Sequence, residues 1–300
     1  MNDTSNSNLF SILIPTWNNL DFLKLCIESI EKNSSFKHQI IIYVNDGNDG
    51  TLEWVKEKRL DYKHSPSNVG ICFALNALRP LVKTDYILYM NDDMYVCPKW
   101  DEYLWEEISR LPDNKFFLSA TLIQPRPFYC KSVIAPVNYG ETVDTFQEDA
   151  LLKEYGQLPH QDWMGATWPP NVVHRDMWDL VGGYSVELSP GMYSDPDFSA
   201  KLWLAGVRYF KGISKSRVYH FEARSTGRIV KNNGSAQFLL KYGITSATFI
   251  KHVLHRGEPF DESRCTTIDE GLIKSNLLRS KLKRLFYLGK DFMTKKIWEV

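Results

Sequence analysis

The sequence predicts an α/β fold with a mainly parallel sheet covered by helices on both faces. Short apolar runs alternate with segments of helical periodicity through the first hundred residues, the pattern of parallel strands joined by crossover helices. The run Ile87-Leu-Tyr-Met90 is continuously apolar, as expected of a strand buried on both sides. It stops on two adjacent acids, Asp92 and Asp93, and the ends of such strands form the rim where open α/β sheets bind ligands. Adjacent carboxylates repel unless a cation joins them. Hard oxygen ligands on a partly open site suit Mg²⁺ or Mn²⁺ shared with substrate phosphates.

The elements follow in order. Phe10 to Pro15 reads as a first strand. Leu20 to Lys32 reads as a helix with Leu23, Ile27 and Ile30 on one face, capped by Asn19 or Asp21. Gln39 to Val44 is a second strand, and the turn-rich Asn45-Asp-Gly-Asn-Asp-Gly50 leads to a helix from Thr51 to Arg59. Tyr62 to Ser65 is a short third strand, and Asn68-Val-Gly70 opens a helix that Pro80 stops. After the two acids come a helix from Trp100 to Leu111 and a strand from Phe116 to Leu122. Gln124 to Gln161 has no clear period and reads as a long irregular excursion over the site. Val172 to Leu180 is helical or strand-to-helix, ended by Gly182-Gly183. A helix from Phe198 to Ala205 has Ser194 or Asp195 as its cap and Pro196 in its first turn. Val207 to Phe210 and Arg217 to His220 are strands. Gly234 to His255 is helical with a break near Gly243, and Ile268 to Lys290 is a leucine-bearing helix.

Composition narrows the function. The chain has 300 residues, 43% of them hydrophobic, enough for a substantial core. Its 36 basic and 36 acidic side chains cancel, so no overall field favours nucleic acid. The five cysteines include no Cys-x-x-Cys pair, which points away from a disulfide framework or zinc ribbon and towards a reducing compartment. The polar start, Met1 to Asn8, does not read as a signal peptide, and no run reaches the roughly 18–20 apolar residues of a membrane span. A cytoplasmic protein is expected, peripheral at most to the inner face of a membrane.

Taken together, the motifs resemble those of the family-2 glycosyltransferases of the GT-A fold. Ser11-Ile-Leu-Ile-Pro-Thr-Trp-Asn18 looks like the family's opening strand and loop. Val44-Asn-Asp-Gly-Asn48, Asn68-Val-Gly70 with Asn76, and Asn91-Asp-Asp93 in place of Asp-x-Asp follow in family order. Gly182-Gly-Tyr184, Ser194-Asp-Pro-Asp197 and Val218-Tyr-His220 supply the second half. The chain departs from the pattern at Asn45 and Asn91, which stand where acids are common, and at Ser194, which stands where Glu often precedes the catalytic Asp. The resemblance implies a GT-A domain over residues 9–230, with a donor half at about 9–100, an acceptor half at about 100–230, and a helical extension at 231–300. It implies an inverting, metal-dependent transfer of a sugar from a nucleotide-sugar donor to a hydroxyl of a glycan, glycolipid or glycoprotein acceptor. The expected setting is synthesis of bacterial-type cell-surface polysaccharide, lipopolysaccharide or glycoprotein glycans.

Residue by residue, Asp93 is expected to bind Mn²⁺ or Mg²⁺, His220 to complete the metal site, and Asp92 to meet the ribose or the ion's water shell. Pro15, Thr16, Asn18, Asn45, Asp46, Asn68 and Gly70 are expected to line the nucleotide pocket; Gly70 would let a phosphate approach bare backbone at a helix start. Asp195 is the expected general base, with Asp197 the alternative. Arg224 would clamp a phosphate, and Trp163, Trp168 and Trp178 are candidates to stack on a sugar. The basic, leucine-bearing C-terminal helix suits either an anionic membrane surface or a packed position with a solvated face. Two other readings compete. A nucleotidyltransferase would carry a Gly-rich basic phosphate loop after the first strand, which Pro15-Thr-Trp-Asn18 is not. A non-catalytic nucleotide-sugar-binding protein would have no need of both Asp93 and Asp195.

Overall fold

The computed structural model describes residues 8–223 and 232–288. Arg224 and the basic residues beyond position 288 lie outside them. The first half alternates β1 (Phe10–Trp17), α1 (Leu20–Asn33), β2 (Gln39–Asn45), α2 (Thr51–Glu57), β3 (Asp61–Ser65), α3 (Ile71–Leu78) and β4 (Tyr86–Tyr89). Then come β5 (Met94–Val96), α4 (Trp100–Ile108), β6 (Phe116–Ile123), β7 (Val133–Ile134), α5 (Glu148–Glu154), β8 (Trp163–Met164), β9 (Asn171–His174), α6 (Arg175–Val181), α7 (Ser194–Leu204) and β10 (Tyr209–His220). Three helices close the described chain: α8 (Gly234–Tyr242), α9 (Ser246–His252) and α10 (Glu270–Leu288).

One sheet carries the strands in the order β3-β2-β1-β4-β9-β6-β10-β5, with β7 on β6 and β8 on β10. The expected parallel character holds in the longest pairings, β1 with β2 and β6 with β10, while β9, β5 and β8 enter antiparallel. Side chains alternate between two cores. Ile12, Ile14, Ile42, Val44 and Leu88 face the core under α1 and α4. Leu13, Ile41, Tyr43, Ile87 and Tyr89 face the core under α3, α6 and α7. Each strand is therefore apolar on both faces, which is why the sequence shows runs and not alternation.

The link between β4 and β5 shapes the sheet. From Tyr89 to Met94 the chain spans at most roughly 18 Å fully extended, and residues 92 and 93 form a turn. On a flat sheet β4 and β5 would stand about 19 Å apart, with three strands between them. The sheet must curl, and the two acids sit where its ends approach.

Several expectations need correction. α7 starts at Ser194, so Asp195 lies in its first turn; Tyr193, at φ +69°, occupies the cap position. Asn19 sits at the α1 cap without a side-chain cap bond, and Asp49 instead accepts the Leu20 N–H at 2.9 Å. The two strands expected from 207 to 220 are one, with a register shift between Ile213 and Arg217. The excursion after Gln124 contains β7 and α5; only Leu151 of α5 is buried, so the helix leaves no apolar stripe to detect. α6 is preceded by β9, resolving 172–180 as strand-to-helix, and Gly182, at φ +70°, caps its end. In α10, Leu272, Leu278, Leu282 and Leu285 are exposed, while other contacts hold the helix to α8 and α9.

A seam joins the two halves. Asn76 of α3 donates from Nδ2 to the Tyr184 carbonyl at 2.7 Å and accepts the Tyr184 N–H at 2.8 Å. A Cβ on Gly183 would come within 2.2 Å of Asn76 Oδ1, so glycine is required there. Five residues before Asn76, the Ile71 N–H donates to the Pro190 carbonyl at 2.9 Å. These contacts fix the chain that enters α7, and so fix Asp195.

Candidate active site

The ends of β1, β2 and β4 surround a cavity of about 540 Å³. Pro15, Thr16, Asn45, Asn68, Gly70, Asp92, Asp93 and His220 line it, as do Trp17, Asn91, Arg126 and Met192. Sequence reasoning missed Arg126. Its local signal was Pro125-Arg-Pro127, whose prolines restrict the backbone around it.

Asn18 and Asp46 are not brought into this cavity. Asn18 donates to Asp46 Oδ2 at 2.9 Å and accepts the Gly47 N–H at 2.8 Å, so the pair braces the turn after β2. The Asn45 amide is also engaged: Nδ2 donates to the Thr16 carbonyl at 3.1 Å, and Oδ1 accepts the Val69 N–H at 2.9 Å. Asn45 ties three walls of the cavity together, which an acid could not do because it has no donor facing Thr16. Gly70 is needed for a different reason than expected. Its φ is +79°, and a Cβ would come within 2.7 Å of Pro190 Cα. Its N–H already donates to Asn68 Oδ1 at 2.9 Å, so the close approach is made by Pro190 and the amide is not vacant.

The acids are held individually. Thr16 Oγ1 donates to Asp92 Oδ2 at 2.7 Å. Burial pushes the Asp92 carboxyl up, and the charge of Asp93 adds to that; hydrogen bonds from Thr16 and Asn19 oppose it. Asp93 accepts the Ala223 N–H at 2.8 Å, and its Oδ1 lies 3.4 Å from His220 Nε2. The pairing of His220 with Met94 across β5 and β10 sets this proximity. Burial alone would lower the His220 imidazole, but the neighbouring Asp93 carboxylate outweighs it and the net shift is upward.

No cluster of three or more His, Cys, Asp or Glu side chains suited to a metal occurs among the described residues. The Asp93–His220 pair nonetheless fits a cation that completes its shell with diphosphate oxygens. Gln124 supports this. Its Nε2 stands 2.9 Å from His220 Nδ1, and its Oε1 is buried with no partner. Turning that amide would give Nδ1–H an acceptor and leave the Nε2 lone pair for a cation.

A second cavity of about 920 Å³ meets the first at Gly191 and Met192. Asp195, Trp168 and Arg256 line it, with Ile250 and Lys251 of α9. Two residues apart on a helix means opposite directions, and the two acids of α7 differ accordingly. Asp197 is fully buried; Oδ2 accepts from Ser185 at 2.5 Å, and Oδ1 from Lys241 at 2.8 Å and Tyr242 at 2.7 Å. Asp195 opens on the cavity, and its carboxylate takes no hydrogen bond among the described residues. Loss of hydration pushes it up to about 7, against the pull of the Arg256 charge. Trp163 and Trp178 are core residues, whereas Trp168 reaches the second cavity.

A curled α/β sheet whose carboxylates and imidazole meet at a cavity by the strand ends is the arrangement of a GT-A fold. The glycosyl transferase family 2 model matches residues 11–157, just under half of the chain, and that part is similar to the family. The S. aureus TarS 1–349 structure has TM-score 0.54 at 13% identity, covering 97% of this chain and 76% of that one. TarS 1–349 in complex with UDP-GlcNAc gives 0.54 at 15%, covering 97% and 77%. GalNAc-T7 with UDP, GalNAc and Mn²⁺ gives 0.56 at 13%, covering 96% of this chain but only 58% of that one. At such identities the likeness concerns the fold. No curated protein matches the sequence.

The pH dependence of stability tests the setting of Asp195. With its carboxyl raised to about 7, the folded state binds a proton that the unfolded state releases above about 4. Wild-type stability is therefore eroded as pH rises from about 4 to 7. Asp195→Asn removes that cost, so by thermal melting it is more stable than wild type at pH 8, and the difference closes towards pH 4. A constant difference across that range contradicts the assignment.

Proposed function

We propose that the protein transfers a glycosyl unit, with inversion, from a nucleotide-sugar to an acceptor hydroxyl, with Asp195 as general base. The observation that carries this is the junction of two cavities at Gly191 and Met192, with Asp93 and His220 in one and Asp195 in the other. The first cavity holds the nucleotide. Asp93 and His220 would hold a divalent cation, and Asp92, fixed by Thr16, would face the ribose or the ion's water shell. A bound divalent ion would neutralise charge on the departing diphosphate. Arg126, ion-paired with Glu141, lines the same wall. Asp195, on the other side of the junction, takes the acceptor's proton as its oxygen attacks the anomeric carbon. Attack from the face opposite the nucleotide inverts that centre. Asp197, enclosed by Ser185, Lys241 and Tyr242, holds α7 in place instead. The complexes of TarS with UDP-GlcNAc and of GalNAc-T7 with UDP and Mn²⁺ support a UDP-sugar donor and Mn²⁺ here.

The cellular setting we propose is cytoplasmic synthesis of a surface polysaccharide, lipopolysaccharide or glycoprotein glycan. No described helix is long and apolar enough to cross a membrane. α10 instead exposes Leu278, Leu282, Leu285 and Phe286 among Lys and Arg residues, which suits peripheral contact with anionic lipid. Sedimentation with anionic vesicles at low salt should exceed that with neutral vesicles and fall at high salt. Equal sedimentation with both removes the membrane reading.

The catalytic reading is tested by two variants measured together. Asp93→Ala should abolish Mn²⁺-dependent binding of UDP. Asp195→Asn should retain UDP affinity and lose about 10²-fold or more in transfer. Near-normal turnover in Asp195→Asn would remove it as the base.

A further inference from the structure

The second cavity is built partly by chain outside the family match. Residues 254–260 are stitched to β8: the Met164 N–H donates to the Glu258 carbonyl at 2.9 Å, and the Gly257 N–H to the Met164 carbonyl at 3.0 Å. Gly165, at φ +82°, permits the approach, since a Cβ there would come within 2.7 Å of Arg256 Cα. The Arg256 backbone is thereby fixed. Its guanidinium carbon lies 3.6 Å from the centroid of the Trp168 ring, stacked on its face.

The stack leaves the guanidinium edges unsatisfied. Among the described residues, Arg256 Nε and Nη1 are buried without a hydrogen-bond partner. Such donors are costly to bury alone, and a charged one more so. Lys131 and Lys251 add exposed cations to the cavity lining. The lining acids are Asp195 and Glu258, and Glu258 Oε2 is taken by Arg264 Nη1 at 2.6 Å. Positive charge thus exceeds negative charge around the space beside Asp195. A neutral glycan would leave the buried guanidinium without an anion, whereas an oxyanion would satisfy it.

We propose that the acceptor carries a phosphate or carboxylate close to the attacked hydroxyl, and that Arg256, braced on Trp168, binds that group. The substrate class is then a sugar phosphate, polyol phosphate or uronic acid, free or within a chain. The inference rests on reading the second cavity as the acceptor site.

Calorimetric titration of the UDP- and Mn²⁺-loaded protein tests it, with glycerol 1-phosphate and glucuronate as probes beside glycerol and methyl glucoside. The expected result is binding of one or both anionic probes in preference to their neutral counterparts. Arg256→Gln should weaken the anion by about tenfold or more, and Arg256→Lys by less, with UDP affinity unchanged in both. Neutral probes binding as well as anionic ones overturns the proposal. So does an equal loss for both classes in Arg256→Gln, which would make Arg256 a packing partner of Trp168. No binding of either anion to the loaded wild type also overturns it. Failure of the parent reading is separate: anion binding that depends on Arg256 but is unaffected when Asp195→Tyr fills the cavity would place the anion outside the acceptor site.

Discussion

The site depends on the seam between α3 and the loop that leads into α7. Asn76 reads the Tyr184 backbone from both sides, and Ile71 is hydrogen-bonded to Pro190. These contacts span more than a hundred positions in sequence and bring the Asp195 helix against the nucleotide-facing half. Both anchor points require glycine, Gly183 under Asn76 and Gly70 under Pro190, because any Cβ would force the two halves apart. With the seam in place, Gly191 and Met192 become a wall shared by both cavities. The motif residues Asn68, Gly70, Asn76, Gly182 and Gly183 thereby gain a common purpose. They assemble the cleft that the acids line.

Electrostatics gives the assembled cleft its character. Asp92 and Asp93 are held close together with little water, and burial and mutual repulsion push Asp92 towards its neutral form. A cation beside the pair would offset that cost. Across the wall, Asp195 is raised by lost hydration and sits near the pH at which a carboxylate can accept a proton with useful driving force. Asp197 has the same chemistry and a different fate because Lys241 and Tyr242 of α8 engage it. The helices after residue 232 therefore shape both α7 and the cavity in front of it.

Much of the first half was legible because its physics is local. Apolar runs marked β1, β2 and β4, and the acids after Met90 stood at a strand end by count alone. Asp195, Asp93 and His220 were singled out by the order of their motifs, and the structure sets them on the walls of two adjoining cavities. Roles that depend on distant partners were not. Asn45 looked like a base-binding amide, yet its partners are Thr16 and Val69. Gly70 looked like a phosphate cradle, yet its neighbour is Pro190, 120 positions away. α5 escaped because a seven-residue helix with one buried side chain has no period to detect. Arg256 carried no signal, since its meaning comes from Trp168 and from the backbone pairing at Met164.

The central claim is that one cleft, divided at Gly191 and Met192, holds the donor on the Asp93 side and the acceptor on the Asp195 side. A crystal structure with Mn²⁺ and a non-transferable UDP-sugar tests it most directly. The account predicts the ion between Asp93 and His220, the nucleotide against Thr16 and Asn68, and the anomeric carbon facing Asp195 across the shared wall. A nucleotide bound instead in the separate hollow around Asp46 and His64, or a sugar turned away from Asp195, would contradict it.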